Sequence, residues 1–405
     1  MRIVLAGEGT RGDLQPMIEL AARVEAAGHR AVVCGPPDFR DLAAARPVEY
    51  VTLGVSAAAF LGERADLLAR NPVRVLREAF AYVRQSMAER MRALVEIADG
   101  ADLVIAGGAE TAASSAAERC GVAYRYTCYC PVLFPSREHT PPFLNGAERA
   151  EWANRLLWPL LLAGVDLAVR RALTPARRSI GLPPVRSPYR HMIGARPLLA
   201  ADRVLAQLPR DITLAVEQMP ALHPLGGDPL PPKLAAFLDA GPAPVYVGFG
   251  SMPDTDPKAT TRLVLAAIEQ IGARAVLSAG WAQLGGLPLP EGVIEIGAVA
   301  HPRLFPRCAA IVHHGGAGTT TNALRAGVPQ VVVPHLVDQF YWGRRVRELG
   351  IGVLAPRKHR LATADLVAAL TAVLDNEVLA QRAKALGAQA LREAERADPV
   401  AAILR

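Results

Sequence analysis

The sequence predicts an α/β protein made of two Rossmann-like domains. A strand–turn–helix–strand unit opens the chain, the same order returns in its second half, and a proline- and glycine-rich segment at 208–243 lies between them. A helical crossover between neighbouring strands makes a sheet parallel. The length of 405 residues suits two or three domains of about 100–200 residues each.

The first unit begins with a continuous apolar run over 3–6, as expected of a strand that is buried on both faces. A glycine turn at 7–12 follows, then helical spacing over 16–27. Gly28 lies where a helix commonly ends with a glycine. A second strand over 29–34 completes a βαβ unit, so the first sheet should be parallel.

The second half of the chain repeats this order, with loops of small residues after two of its strands. These copies should build a second parallel sheet. The predicted elements are strand 244–249, helix 259–271, strand 273–278, then strand, glycine loop and helix over 309–326, strand 330–333 and helices within 363–405. Residues 148–178 predict helices rich in tryptophan and arginine, which either cover the flank of the first domain or lie on a membrane surface.

Composition excludes several classes of protein. With 51% hydrophobic and 20% charged residues, the chain can bury large cores. It contains no Gly-Lys-Ser/Thr phosphate loop, and its net charge of +7 is not gathered into a nucleic-acid footprint. A secretory leader is not recognisable, and the most apolar helical stretch, 158–169, is shorter than the ~20 residues of a membrane span. We therefore expect a soluble cytoplasmic protein.

The five cysteines predict neither a disulfide framework nor a zinc site. Their number is odd and they are scattered. Cys128 and Cys130 are separated by one residue, which is not a usual zinc spacing. Together with Tyr126 they alternate as one face of a strand would, so buried strand positions are the favoured interpretation.

The segment 313–320, His-His-Gly-Gly-Ala-Gly-Thr-Thr, has the strongest chemical character. It lies between a predicted strand and helix. Small residues let the backbone approach a ligand, and the first amides of a helix attract an anion. His314 and the hydroxyl of Thr319 would add side-chain donors to a phosphate. The alternative is a glycine-rich turn with two buried histidines.

Asp338 and Gln339 follow the next predicted strand. Ligands of parallel sheets gather at the carboxyl ends of strands. A carboxylate beside an amide both accepts and donates hydrogen bonds, which suits sugar hydroxyls. Taken alone, the pair is better explained as a surface turn before a helix.

Together these residues resemble the UDP-glycosyltransferase superfamily, the two-domain inverting enzymes, and most of all its bacterial natural-product branch of the vancomycin and macrolide type. The resemblance covers nearly the whole chain. It implies the GT-B fold, in which two Rossmann-like domains with parallel sheets face each other across a cleft. The segments that carry it are 9–13 with Pro16, 245–252, Gly280-Trp281, 301–306, 313–320 and 334–339.

The resemblance also implies the roles of the domains. Residues 1–207 would bind the acceptor and 244–385 the nucleotide sugar, with a linker at 208–243. A C-terminal helix at 386–405 would return to the first domain.

The resemblance further implies a role for single residues. Asp338 and Gln339 would hold the donor sugar, and Trp281 and Val299 would line the nucleoside base. Asp13 would be the general base that takes the proton of the acceptor hydroxyl. The residues matched to the donor diphosphate are Thr10, Gly12, Ser251, His314, Gly316, Gly318 and Thr319.

Asp13 also has a purely structural interpretation, as the N-cap of the helix that follows it. For a base, its pKa should be raised by the cleft. On the acceptor side, Phe134, His139 and Phe143 are candidates to line a pocket. A solvent-facing loop position is the alternative for His139.

Two further motifs are set aside. The Gly-x-Gly-x-x-Gly pattern at 7–12 lacks the acid expected at the end of the second strand, since Asp38 comes late and follows two prolines. The pair Asp254 and Asp256 is better explained by Asp256 as a helix N-cap before Pro257 than by a metal site.

We therefore expect an inverting glycosyltransferase that moves a hexose or deoxyhexose from a dTDP or UDP sugar to a hydroxyl of a lipophilic natural product, in antibiotic or other secondary metabolism. The expected partners are the nucleotide sugar and the acceptor, with no metal, cofactor, nucleic acid or membrane contact. The chain should be a monomer or a homodimer. Open alternatives are a lipid or sterol glycosyltransferase anchored through 152–178, an NAD-dependent oxidoreductase, and a catalytically silent auxiliary protein.

Overall fold

Two parallel sheets organise the protein. A computed structural model describes residues 1–62, 86–144, 148–252 and 254–405. The first sheet has seven strands in the order β3-β2-β1-β4-β5-β6-β7, and the second has six in the order β10-β9-β8-β11-β12-β13. The predicted α/β class with two Rossmann-like halves is confirmed.

The strands are β1 (Arg2–Glu8), β2 (Arg30–Gly35), β3 (Glu49–Thr52), β4 (Leu103–Gly108), β5 (Ala123–Cys128), β6 (Leu198–Ala200), β7 (Glu217–Met219), β8 (Val245–Gly248), β9 (Ala275–Ser278), β10 (Val293–Ile296), β11 (Ala310–His313), β12 (Gln330–Val332) and β13 (Gly352–Leu354). The helices are Arg11–Ala26, Arg40–Ala44, Ala57–Gly62, 86–98, Ala113–Cys120, Glu151–Ser179, Pro188–Ile193, Pro232–Asp239, Pro257–Gln270, His301–Leu304, Ala317–Arg325, Gln339–Glu348, Thr363–Leu374, Glu377–Arg396 and Pro399–Leu404. Short 3-10 turns lie at Pro37–Phe39, Pro131–Leu133, Pro142–Leu144, Phe305–Arg307 and Lys358–Arg360.

Two helices begin earlier than predicted, and both changes matter for the site. The first helix starts at Arg11 with Thr10 as its N-cap, so Asp13 is the third helical residue. The helix after β11 starts at Ala317. Gly318 and Thr319 therefore belong to its first turn, where backbone amides have no partner within the helix.

The predicted linker contributes to both domains. Its residues Glu217–Met219 form β7, which pairs with β6 at the edge of the first sheet. The helix Pro232–Asp239 buries Leu234 and Leu238 in an apolar cluster of the second domain. The free connection is therefore shorter than 208–243.

The predicted C-terminal helix at 386–405 is two helices in the structure. The first, Glu377–Arg396, crosses the helix Ala317–Arg325 so closely that Gly387 leaves no room for a Cβ atom. The second, Pro399–Leu404, packs on the first helix of the chain, and the Ala402 carbonyl accepts a hydrogen bond of 2.7 Å from Arg125. The chain therefore ends on its first domain.

A buried ion pair also joins the domains. Arg325 donates to the carboxylate of Asp202 at 2.7 and 2.9 Å, and both side chains are almost completely buried. Arg325 also donates to the Ala221 carbonyl at 2.9 Å. Since Asp202 follows β6 and Arg325 ends the helix after β11, this contact connects the first sheet to the glycine loop.

The helix Glu151–Ser179 covers the flank of the first domain with one face and leaves another exposed. Trp158 and Leu173 are buried. Trp152 is 70% exposed, and the face that it begins continues with Leu156, Leu160 and Leu167. No helix within the described parts of the chain is both long and apolar enough to cross a membrane.

The predicted burial of Cys128 and Cys130 is confirmed, although β5 ends at Cys128 and Cys130 lies just beyond it. All five cysteines are free, and Cys128 and Cys130 are buried with Tyr126 in one apolar cluster beside the first sheet.

Candidate active site

The residues predicted to bind the donor stand at the ends of neighbouring strands of the second sheet. Val299, Trp281, Ser251, His314 and Asp338 follow β10, β9, β8, β11 and β12, which is the order of these strands across the sheet. The chain reverses its direction of winding between β8 and β11, and ligands of open α/β sheets bind at such switch points. A nucleoside diphosphate sugar laid along this edge would meet the predicted base, diphosphate and sugar residues in that order.

The two histidines of the glycine loop have different surroundings. His313 is fully buried; its Nδ1 accepts from the Gly315 amide at 3.1 Å and its Nε2 bonds Gln330 at 2.9 Å. This histidine therefore holds the loop in shape. His314 is 8% exposed, and its Nδ1 has no hydrogen-bond partner. Burial lowers the pKa of His314 to about 4, so its ring is neutral at pH 7.

The ring of His314 lies between two glycines. A Cβ atom on Gly316 would overlap the ring, and one on Gly250 would lie 2.9 Å from its Cε1. Gly250 has a φ of +59°, which other residues rarely adopt, and it places the loop of Ser251 beside the glycine loop. Glycine at these positions therefore fixes where the unpartnered imidazole sits.

The first turn of the helix Ala317–Arg325 offers its amides at the same place. Gly316 is the N-cap and supplies no side-chain hydrogen bond to these amides. Thr320 is buried, and its hydroxyl bonds the Gly316 carbonyl at 2.9 Å, whereas Thr319 is half-buried. Free amides, the positive end of the helix dipole and an unpartnered imidazole form an arrangement suited to a phosphate.

Trp281 and Val299, which are predicted to line the nucleoside base, lie in loops of the second domain, after β9 and β10. Trp281 is half-buried and packs against the apolar cluster of the first domain, and its amide bonds the Gly250 carbonyl at 3.0 Å. Val299 is half-buried against the apolar cluster that contains Tyr246. Gln283, two residues after Trp281, has a φ of +51°, a strained value for a residue other than glycine.

The Asp338–Gln339 pair is built into a strained loop. Val337 has a φ of +53°, which is costly for a β-branched residue. Gln339 accepts from the amides of His335 and Leu336 at 2.8 and 3.1 Å, and its NH2 group donates to the sulfur of Met252 at 3.3 Å. A sugar hydroxyl would therefore use the second N–H of this group or replace the weak bond to sulfur. Asp338 accepts from Trp342 at 3.1 Å, and burial raises its pKa to about 6.

Asp13 lies on the opposite domain, after β1. Its carboxylate accepts from the Thr10 amide at 2.8 Å and from the Thr10 hydroxyl at 3.3 Å. Gly9 and Gly108 approach the carboxylate so closely, both with positive φ, that neither position could carry a Cβ atom without moving Asp13. The predicted N-cap alternative is wrong in position, because Thr10 is the N-cap and Asp13 caps from the third helical residue.

The protonation of Asp13 is shifted toward the acid form. Burial raises its pKa to about 6, the bond from the Thr10 amide opposes this, and the negative charge of Asp338 raises it further. Asp13 and Asp338 are therefore near enough across the two domains to influence each other. The other predicted cleft residues on this side, Thr10 and Gly12, are half-buried and exposed respectively.

A buried charged cluster next to Asp13 was not anticipated from the sequence. Arg90 bonds Glu110 at 2.7 Å and Glu8 at 3.2 Å, at the ends of β4 and β1. Burial raises the pKa of Glu8 to about 7 against the attraction of Arg90, and the charge of Glu110 raises it further. A charged residue at the end of an otherwise apolar strand, as Glu8 is in β1, was the available sequence signal.

The residues predicted for the acceptor are buried or undescribed. Phe134 has no exposed surface. His139 is 8% exposed and bonds the Phe134 carbonyl at 2.8 Å, and its own carbonyl accepts from Trp158 at 3.1 Å. The alternative of a solvent-facing His139 is therefore wrong. The side chain of Phe143 lies outside the described residues. The acceptor role of these three residues stays a prediction.

The two set-aside motifs have structural roles. Asp38 caps the helix Ala57–Gly62, accepting from the Ala57 amide at 2.8 Å, so its carboxylate is occupied. Asp256 is the N-cap of the helix Pro257–Gln270, as predicted, with Ala259 as donor at 2.8 Å.

Comparison with known proteins places the chain in a family. Residues 3–132 match the glycosyltransferase family 28 N-terminal domain, and 262–404 match the erythromycin biosynthesis protein CIII-like C-terminal domain. The chain is 38% identical over 361 residues to the vancomycin aglycone glucosyltransferase of Amycolatopsis orientalis, covering 87% of this chain and 85% of that protein. The dTDP-epi-vancosaminyltransferase of the same organism is also 38% identical, over 363 residues, with the same coverage.

A solved structure agrees on the fold. The spinosyn rhamnosyltransferase SpnG complexed with thymidine diphosphate has a TM-score of 0.68 at 18% identity, covering 97% of this chain and 96% of that one. Fold and strand-end site thus define a glycosyltransferase of the GT-B class. The chain belongs to the natural-product glycosyltransferases that include the vancomycin enzymes, and it is itself a glycosyltransferase. The oxidoreductase and the silent auxiliary protein are accordingly wrong alternatives.

Proposed function

We propose that this protein is an inverting glycosyltransferase that moves a hexose or deoxyhexose from a dTDP or UDP sugar to a hydroxyl of a lipophilic natural product. Asp13 is the general base. The observation that carries the proposal is the half-buried Asp13 carboxylate, held by Thr10 at the edge of the first domain, whose pKa of about 6 is influenced by Asp338 on the opposite domain. That position puts a base on one side of the place where the donor sugar would lie.

The surroundings of Asp13 suit proton transfer. A general base works best when its pKa is near the working pH, because it is then ionised yet still binds a proton well. A carboxyl with a pKa of about 6 meets this condition better than an ordinary aspartate. The Thr10 amide fixes one oxygen, Oδ2, at 2.8 Å. The other oxygen would accept the proton of the attacking hydroxyl.

The leaving diphosphate would be stabilised on the other side. The free amides at Ala317, Gly318 and Thr319 are fixed in place before reaction, and such fixed donors stabilise charge that develops in the transition state. His314 would donate a hydrogen bond from its neutral ring. A single displacement between Asp13 and this loop inverts the anomeric carbon. Because the helix supplies positive potential, we propose that the reaction needs neither a metal ion nor a cofactor beyond the nucleotide sugar.

The names of the relatives support a thymidine-linked donor and a natural-product acceptor. One relative is a dTDP-epi-vancosaminyltransferase and another a vancomycin aglycone glucosyltransferase. SpnG was crystallised with thymidine diphosphate. We therefore place dTDP sugars ahead of UDP sugars, and both a deoxyhexose and glucose fit these relatives.

The experiment combines a donor screen with an Asp13 variant. The melting temperature is measured with dTDP and UDP sugars, since a ligand that binds the native state raises it. We expect stabilisation by at least one of them, and Asp13→Asn should keep that stabilisation while losing about 10²–10⁴-fold in kcat. The wild-type kcat/KM should rise with pH up to about 6 and then level off, as Asp13 loses its proton. Unchanged turnover in Asp13→Asn would remove Asp13 from the mechanism.

A second candidate, transfer to a sterol or other membrane lipid, is favoured by one observation. The exposed apolar face of the helix Glu151–Ser179, with Trp152, Leu156, Leu160 and Leu167, could lie in a membrane interface. Co-sedimentation with anionic vesicles tests it. Binding that Leu156→Glu abolishes would support the lipid acceptor, and no binding would leave the natural-product acceptor.

A further inference from the structure

His223 covers the start of the glycine-loop helix. It lies in the segment that leads from β7 to the second domain and is 7% exposed. A Cβ atom on Gly318 would lie 2.7 Å from Cε1 of His223 and 3.0 Å from its Nε2. Gly318 is the second residue of the helix Ala317–Arg325. The imidazole therefore stands over the turn whose amides we propose to hold the diphosphate.

The ring of His223 makes no hydrogen bond to any residue in the described part of the chain. Buried His313 and His139 have close partners at 2.9 and 2.8 Å, whereas Nδ1 of His314, in the glycine loop itself, has none. An imidazole that is nine-tenths buried and unpartnered beside a helix N-terminus indicates a ligand that is bound during function.

The charged groups around His223 indicate that this ligand is an anion. Burial lowers the pKa of His223 to about 3, and the charge of Arg325, the neighbouring His301 and the charge of Arg11 lower it further. Burial lowers the pKa of His301 to about 3 as well, so at pH 7 the positive charge near His223 comes from the two arginines. No carboxylate contributes to this shift. Arg11 lies between Thr10 and Gly12 on the first domain. The ring is thus neutral, in positive potential, between the two loops that would contact the donor.

We propose that His223 donates a hydrogen bond from its ring to a phosphate oxygen of the nucleoside diphosphate. The connection between the domains would then form a third side of the diphosphate site, beside the glycine loop and the loop after β1. The inference rests on the proposed function, since it assumes that the glycine loop binds the diphosphate. His223 would act on the leaving group, on the side of the sugar opposite Asp13.

Calorimetry with thymidine diphosphate and uridine diphosphate at pH 7.5 tests this role. His223→Ala should bind the preferred diphosphate about tenfold more weakly, the typical effect of losing one hydrogen bond to a charged group. His223→Gln, which keeps an N–H donor, should recover part of the loss. His314→Ala is the positive control. His359→Ala, which changes an exposed histidine in another turn, should have no effect.

Histidine NMR of the wild-type protein distinguishes a His223 that binds the phosphate from one that only fills space. It does not depend on whether a variant folds. On adding the diphosphate, the Cε1–H resonance of His223 should shift and its pKa should rise from its low value. The unphosphorylated nucleoside should not cause this. The role of His223 is refuted if its resonance does not move. It is also refuted if His314→Ala loses affinity for the diphosphate while His223→Ala and His223→Gln do not. In both cases the proposed function stands. If wild-type protein binds neither diphosphate, the proposed function itself fails.

Discussion

The carboxylate of Asp13 has a structural role, and it is also the group that we propose as the general base. It closes the first turn of the helix Arg11–Ala26 through the Thr10 amide, and it faces the cleft with a raised pKa. The structural interpretation is right that Asp13 caps the start of the helix and wrong about its position there, and the role as general base stays a proposal. The helix start was misplaced because Gly12 and Pro16 suggest a turn, although Thr10 and Asp13 have the spacing of a capping box.

The raised pKa of Asp13 predicts a stability cost at neutral pH. The folded pKa of about 6 lies above the ordinary 3.8, so the folded state binds the proton more tightly. This contribution is present at low pH and is lost as pH rises through about 6. Asp13→Asn keeps the acceptor for Thr10 and avoids the charge. Its free energy of unfolding at pH 7.5 should therefore exceed that of wild type by about 1–3 kcal/mol.

Urea denaturation of both proteins at several pH values measures the difference. It should grow between pH 4 and pH 6 and stay level above. If the difference in the free energy of unfolding is the same at pH 5 and pH 7.5, the pKa of Asp13 is not raised in the folded state.

The sequence named His314 as a phosphate donor, but it gave no role to His313. Two adjacent histidines after a strand point to opposite faces, and the partner that distinguishes them, Gln330, lies on a neighbouring strand. His223 gave no signal at all, because it lies in a proline-rich segment and acquires its neighbours only when the domains come together. Tertiary contacts of this kind cannot be deduced from local pattern.

At the scale of elements, the helices were predictable where a periodic apolar pattern is followed by glycine. Gly28 and Gly272 both follow helices with φ of +81° and +64°, as expected of C-terminal caps. β7 was not predictable, because the run Glu217–Met219 is short, contains two polar residues and pairs only with β6. Edge strands of this length depend on their neighbour for stability.

The glycine loop gives an element-scale prediction. Gly316 has a φ of −65°, which alanine adopts without strain, so Gly316→Ala should perturb only the His314 ring that it would overlap. We expect the affinity for the nucleoside diphosphate to fall about tenfold or more, as in His314→Ala. Calorimetry measures it. In the double variant the second change should add little, because both act on one interaction; full additivity would contradict this.

At the scale of the whole molecule, the domains depend on a buried charge pair. Asp202→Ala leaves Arg325 buried without its partner, and breaking such a pair costs about 3–5 kcal/mol. We expect a large loss in the free energy of unfolding, together with weaker nucleotide binding, since Arg325 ends the glycine-loop helix. Chemical denaturation and calorimetry measure the two effects.

A matched control is the exposed pair of Arg30 and Glu49. Glu49→Gln should change stability by less than about 1 kcal/mol. Replacing both Asp202 and Arg325 by apolar residues should restore much of the stability. An Asp202→Ala variant as stable as wild type would show that the domains do not need this contact.

The last helix, Pro399–Leu404, has a mechanical consequence. Because it packs on the first domain, the chain passes between the domains twice, once before β8 and once near Ala397. Two domains that are joined at two points can rotate freely only about the axis through both points. If the cleft opens and closes, these two crossings would restrict the movement to rotation about one axis, and each closure would bring Asp13 to the same place relative to the second sheet.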